Sequence, residues 1–211
     1  MMRGLFLVTA LLLGCFAFTQ PTLAVISTFD TGLEGWTGSG CAVLWQSSQG
    51  NPKPSLSSDD NVGDWAQIIA PGKFHGAWPT AGSVSADVKF AGTGTIGYPV
   101  VFAITDGNTT YQYVLANPTT SWATYAAALN SAHLTKVTSN ADWYNWSPPI
   151  GNESLATVLT NVTDFRIRTD CVNGYGDFSY LDNIQVVPAP PAVVLLSSGL
   201  AGLAVLRRRR R

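Results

Sequence analysis

One short run, Asp142-Trp143-Tyr144-Asn145-Trp146-Ser147, sets three flat aromatic side chains beside hydrogen-bonding neighbours. A pyranose ring offers apolar C–H faces that stack on Trp or Tyr, and hydroxyls that Asp and Asn can fix, so the chemistry this composition suits is sugar binding. The segment has neither a period-two nor a helical apolar pattern. It is therefore read as a loop, where rigid scaffolds carry their binding groups. Trp143, Tyr144 and Trp146, with Asp142 and Asn145, are the candidate ligand contacts. The opposing reading is that Trp and Tyr are large and bury most of their surface. On that ground Trp36, Trp45, Trp65 and Trp122 are assigned to the core.

Carboxylates offer a second chemistry. Calcium takes six to eight oxygens from carboxylates, backbone carbonyls and water. Asp30 near the start of the domain and Asp182 near its end would supply the anionic part if the terminal strands are neighbours. The alternative is that Asp30 caps a turn and Asp182 accepts from a backbone amide. Asp59-Asp60, in a Ser-rich stretch, read as solvated loop residues. Catalytic chemistry finds little material. His75 and His133 stand 58 positions apart with no nucleophile motif beside either, and Glu34 and Glu153 are the only glutamates. No G-x-S-x-G elbow, H-E-x-x-H pair or phosphate-binding glycine loop occurs in residues 25–187. A polysaccharide-active enzyme needs only two carboxylates, yet nothing singles out an acid and a base, so the expectation is a non-catalytic protein.

The elements that must position these residues have mostly a period of two. Val84, Ala86, Val88 and Phe90 alternate with Ser83, Ser85, Asp87 and Lys89, and Phe165 and Ile167 alternate with Arg166 and Arg168. Tyr98 to Thr105 form a continuous β-rich run. The Asp106-Gly107-Asn108 turn then leads into Thr110 to Leu115, a hairpin pattern. Gln67 to Ala70, Trp122 to Ala127 and Leu181 to Val187 supply further strands. Leu155, Val158, Leu159 and Val162 instead follow helical spacing behind Asn152, the predicted cap. Short strands separated by turn signals predict an all-β antiparallel sandwich, a jelly roll with one short helix.

Charge divides the 211 residues into three segments. The net charge of −1 averages an Arg3 at the start, five arginines at positions 207–211, and a middle segment of residues 25–187 whose own charge is −7. That acidity excludes a nucleic-acid footprint across the domain. Residues 1–24 read as a signal peptide: one Arg, an apolar Leu5–Leu13 run and Thr22-Leu23-Ala24 before the cleavage point. An alternative takes Cys15 as a lipoprotein acylation site. Removal of Cys15 leaves Cys41 and Cys171, which an oxidising compartment would pair as a disulfide, the alternative being two free thiols.

Residues 188–211 form a third part: a Pro188-Ala189-Pro190-Pro191 break, an apolar stretch from Ala192 to Leu206, and an arginine cluster including Arg207 and Arg208. Fifteen helical residues reach roughly 22 Å, short of a hydrocarbon core of about 30 Å. Local thinning or extension back through the prolines would close the gap, and the arginines would stay cytoplasmic. The ending resembles the PEP-CTERM sorting signal of exopolysaccharide-producing Gram-negative bacteria, with Pro188-Ala189-Pro190 where Pro-Glu-Pro is usual. The resemblance implies an exosortase as processing partner and inner-membrane anchoring before release to the cell surface or beyond. A simple tail anchor is the alternative.

A second resemblance covers residues 29–187. Phe29-Asp30-Thr31-Gly32-Leu33-Glu34-Gly35-Trp36 opens the domain and Tyr180-Leu181-Asp182-Asn183-Ile184 closes it, with Gly50-Asn51-Pro52, Trp65 and Gly76-Ala77-Trp78 between. This order is similar to the laminin IV (laminin B) module and to carbohydrate-binding jelly rolls. It implies a non-catalytic extracellular module. The expected function is binding of polysaccharide or another matrix component, with structural Ca2+; the alternative is a biofilm or surface matrix protein without a discrete ligand site.

Overall fold

The computed structural model describes residues 23–60, 65–140, 143, 146–173 and 176–189. Asp142, Tyr144, Asn145, Pro190, Arg207 and Arg208 lie outside the described residues, as do the leader and the apolar tail. Among the described residues no helix is long and apolar enough to cross a membrane.

Two antiparallel sheets pack face to face. The first holds β1 (Val25–Ser27), β3 (Ala42–Gln46), β4 (Ser55–Asp60), β6 (Gly82–Phe90), β9 (Ala123–Ala128) and β12 (Asp177–Pro188), in the order β3-β4-β12-β6-β9. Strand β1 pairs with the far half of β12, Val25 opposite Val186, while β4 pairs with its near half, Asp177 opposite Asp60. A register shift between Asp182 and Gln185 separates the two halves, and Asn183 takes a positive φ of 48° there. The second sheet runs β10 (Thr135–Lys136), β8 (Thr110–Val114), β7 (Val101–Thr105), β11 (Asp164–Arg168), β5 (Gln67–Ile69) and β2 (Thr37–Ser39). This is the predicted all-β sandwich.

The period-two strands put Val84, Ala86, Val88 and Phe90 of β6 into the core against Phe102, Ile104, Phe165 and Ile167 of the other sheet. Phe165 is the hub: Trp36, Trp78 and Phe102 meet its ring edge-on at centroid distances of 6.0, 5.2 and 6.1 Å. In the β7–β8 hairpin the Asp106 carboxylate accepts from the Asn108 and Thr109 amides, and Gly107 takes the positive φ of 93° that the turn needs.

Several expectations change. The strand expected from Tyr98 begins only at Val101, because Pro99 has no amide to give to a ladder. The helix α1 spans Leu155–Leu159 and is capped by Ser154, whose hydroxyl accepts from the Thr157 amide, rather than by Asn152. Val162 lies outside it, bridged to Gly76. The Ser-rich stretch read as a solvated loop is β4, an interior strand in which Ser55, Ser57, Ser58 and Asp60 are buried. Its inward Ser58 hydroxyl meets Thr169 at 2.8 Å between the sheets. Of the tryptophans assigned to the core, Trp36 is buried, but Trp65 and Trp122 are half-buried and Trp45 is 42% exposed.

Candidate functional site

Because Phe165 and Ile167 point inward, Arg166 and Arg168 must point to the outer side of the second sheet, and the same parity turns the β7 and β8 positions beside them to that side. Arg166 lies opposite Ala103, which lies opposite Gln112; Arg168 lies opposite Val101, which lies opposite Val114. The floor is thus small and apolar, with one arginine on each row. These are the only two arginines in residues 25–187.

Aromatic side chains wall this floor. Trp143 covers it, packed on Val101 and Ala103 and only 1% exposed, and its indole N–H donates to Gln112 Oε1 at 2.6 Å. Its ring meets Trp146 edge-on at 5.0 Å. Trp146 is half-buried and stacked by the Arg166 guanidinium at 4.3 Å; that guanidinium is itself held by Asp164 at 2.8 Å and Gln67 Oε1 at 3.3 Å. On the other row the Arg168 guanidinium lies 4.8 Å from the Trp65 ring, and its Nη2 donates to the Pro99 carbonyl at 3.5 Å. Stacked guanidinium planes hold each indole at a set tilt. Between Trp65, Tyr98, Val101, Gln112, Val114 and Arg168 lies a depression of about 280 Å³. Tyr98 and Val114 rim it, 42% and 51% exposed.

Of the expected contacts, Asp142, Tyr144 and Asn145 lie outside the described residues, and Trp143 and Trp146 are described. Trp143 offers no face to a ligand, because both the sheet and Trp146 cover it; it supports the groove instead. Trp146 is half-buried against Arg166 and Trp143 and does not line the depression, whereas Trp65 and Tyr98, expected in the core and in a strand, do. One sequence signal pointed to the face: two arginines two positions apart within an alternating strand share one side of a sheet.

Behind Arg168 sits a buried acidic cluster. Asp177 Oδ2 accepts from the Cys171 amide and from the Val172 amide, the latter at 3.2 Å. Burial first, and then the neighbouring Asp177 charge, push the Asp170 carboxyl up to about 7, with Arg168 pulling the other way. Burial also raises Asp177.

The two calcium candidates lie elsewhere, on the first sheet. Asp182 stands opposite Asp87, both buried, and a loop folds over them. Asp182 accepts from the Asn51 amide at 2.6 Å and the Asn183 amide at 2.7 Å; Asp87 accepts from Asn51 Nδ2, Asn183 Nδ2 and the Thr124 hydroxyl. Burial pushes Asp182 up to about 6, the two amides oppose this, and the charges of Asp87 and Asp30 add to it. Asp30 is exposed and accepts from the Thr28 hydroxyl at 2.7 Å. Nearby, burial works against Glu34, but the Lys73 ammonium and the Phe29 amide outweigh it and hold this carboxyl low. Among the described residues no three His, Cys, Asp or Glu side chains converge as a cation site.

The expected disulfide is also corrected. Cys41 and Cys171 are both free. The Cys41 thiol donates to the Gln67 carbonyl of β5 at 3.3 Å, whereas Cys171 is fully buried in the core, its backbone amide tied to Asp177. Burial raises both thiols, and for Cys171 the charges of Asp177 and Asp170 raise it further.

No described protein family matches the chain, and no curated protein sequence matches it at a significant level. Solved structures do. The Family 11 carbohydrate-binding module of the cellulosomal cellulase Lic26A-Cel5E of Clostridium thermocellum aligns over 79% of this chain and 95% of its own, with a TM-score of 0.55 and 15% identity. A Family 11 module from the same organism, solved in complex with a beta-1,3-1,4-mixed-linked tetrasaccharide, aligns with a TM-score of 0.55 and 16% identity over 79% and 96% of the two chains. The L4b domain of human laminin alpha-2 aligns over 80% and 98% at a TM-score of 0.57 and 10% identity. What the chain shares with both groups is the jelly-roll sandwich.

Proposed function

We propose that this protein is an exported, non-catalytic module that binds a polysaccharide chain in the groove on the outer face of its second sheet. The observation that carries the reading is the depression bounded by Trp65, Tyr98 and Arg168 on an otherwise regular sheet face. Tyr98 and the open side of Trp65 offer faces for pyranose rings. Gln112 and the Arg168 guanidinium supply fixed polar groups beside them, the mix of aromatic surface and few placed donors that orients a ligand. The resemblance of the fold to carbohydrate-binding modules supports the same reading.

The test is titration with mixed-linked β-glucan, xylan and alginate. The acidic domain favours neutral chains, and the tetrasaccharide bound by the Clostridium module makes mixed-linked β-glucan the first probe. Saturable binding is expected, weakened at least about tenfold, or 1.4 kcal/mol, by Trp65→Ala and by Tyr98→Ala with the melting temperature nearly unchanged. Binding that survives both substitutions, or no binding to any of the three, overturns the proposal.

Calcium is proposed as a structural ion beside Asp30 and Asp182. Its support is electrostatic: Asp182 lies opposite Asp87 and feels the charges of both Asp87 and Asp30, and a carboxylate oxygen that accepts one N–H keeps a lone pair for a cation. Remaining ligands would be backbone carbonyls and water. The sorting reading is likewise proposed: a signal peptide over residues 1–24, delivery to the surface of a Gram-negative cell, and exosortase processing of residues 188–211. The mass of the mature C-terminus checks it; a terminus near Pro188 agrees, and an intact arginine tail sinks the processing step.

A further inference from the structure

The opposite face of the sandwich carries aromatic rings that the core does not use. On the first sheet, the parity that buries Leu56, Val88 and Leu181 in the core turns Lys89 and Tyr180, both half-buried, to the outer side together with Ser57, which is itself covered and accepts from Gln46 Nε2. In register across the sheet, Lys89 lies opposite Tyr180, Tyr180 opposite Ser57, and Ser57 opposite Leu44, which is 51% exposed. Trp122, immediately before β9, stands at the other end of this row: its ring is 6.3 Å from Tyr180 and inclined by only 39°. On the next row Phe178 meets Tyr180 edge-on at 5.0 Å and lies opposite Asp59. The Lys89 ammonium sits 5.7 Å from the Tyr180 ring. Elsewhere on this side Thr124 and Ala126 are exposed, whereas Ser85 and Asp87 are buried, Asp87 beneath the loop that carries Asn51.

We infer that this platform is a second glycan-binding surface, so that one molecule holds two polysaccharide chains back to back; the inference rests on the glycan-binding reading of the groove. The hydrogen-bonding groups decide the occupant. Lys89 can only donate and Asp59, when ionised, can only accept, and they flank the same rings. Sugar hydroxyls do both, and pyranose C–H faces suit Trp122 and Tyr180. A protein partner that docks through an apolar patch would leave that charged pair to be buried at a cost, and an anionic lipid surface would face Asp59 and a domain of charge −7. Two faces pointing in opposite directions make a cross-linker: a long polymer bound at both gains effective concentration at the second site without any new contact.

Calorimetric titration of the protein with the oligosaccharide of whichever polysaccharide among mixed-linked β-glucan, xylan and alginate it binds is the test. Two oligosaccharides per molecule are expected, and mixing with the parent polymer should raise its viscosity. Trp122→Ala, which removes no core side chain, and Lys89→Ala should each leave one site and abolish the viscosity rise, whereas the Trp65→Ala/Tyr98→Ala pair should leave the other. A stoichiometry of one that vanishes in the groove variant overturns the second surface and leaves the groove intact. Two sites that persist in Trp122→Ala overturn it as well. No binding of any of the three overturns the groove reading, and this inference with it.

Discussion

At the scale of single residues, what a tryptophan does here is decided by which of its faces is covered. Trp143 and Trp146 are three positions apart and touch each other, yet the first is sealed against Val101 and Ala103 and the second is only half-buried, stacked on Arg166. Trp143→Ala removes a buried indole and the hydrogen bond to Gln112, and should cost about 3–5 kcal/mol of stability, read as a large fall in the denaturation midpoint. Tyr98, 42% exposed on the rim, has no such burden. A Trp143→Ala protein that unfolds like the parent would show that the ring does not pack as described. The sequence marked Trp143 and Trp146 as special but could not separate them, because composition says that rings are present and only packing says which face is free.

Individual elements show the same division between pattern and context. Strands β6 and β11 are legible because alternation survives along their whole length, so core and solvent faces follow from parity. Strand β4 is not: Ser55-Leu56-Ser57-Ser58-Asp59-Asp60 has one large apolar residue, and its place in the sheet comes from β3 and β12 on either side. The helix was legible as apolar spacing, whereas its start was not, since Asn152 and Ser154 are both good caps and only the backbone path selects Ser154. Ser154→Ala should therefore cost about 1 kcal/mol, and Asn152→Ala almost nothing. A thermal melt of the two variants checks the order, and an equal loss would contradict the cap.

For the molecule as a whole, two buried carboxylates, Asp182 on β12 and Asp170 just after β11, set a pH dependence. The folded-state values of Asp182 and Asp170 are raised, to about 6 and about 7 from 3.8. The native protein therefore holds more protons than the unfolded chain between about pH 4 and 7, and stability falls as pH rises through that window. Melting temperatures recorded from pH 4.5 to 7.5 in the presence of chelator should decline steadily, and Asp182→Asn should flatten the curve. Added calcium should reverse much of the loss at pH 7.5, because a cation beside Asp182 keeps its carboxylate ionised at no penalty. A curve that rises with pH in chelator would refute the carboxylate account, and one that calcium leaves untouched would sink the proposed ion.

The sequence by itself determined the acidic domain of charge −7, the alternation of its principal strands, the sandwich architecture and the shortage of catalytic groups, because charge and periodicity are local properties written residue by residue. Tertiary structure alone decided the rest. It brought Trp65 and Tyr98, 33 positions apart, to one groove and sent Trp122 to the opposite sheet. It also kept Cys41 and Cys171 apart as free thiols, and set Asp182 against Asp87. Each of these is a matter of which strand lies beside which, and the free energy of that choice is spread over the entire core rather than encoded at the residues it brings together.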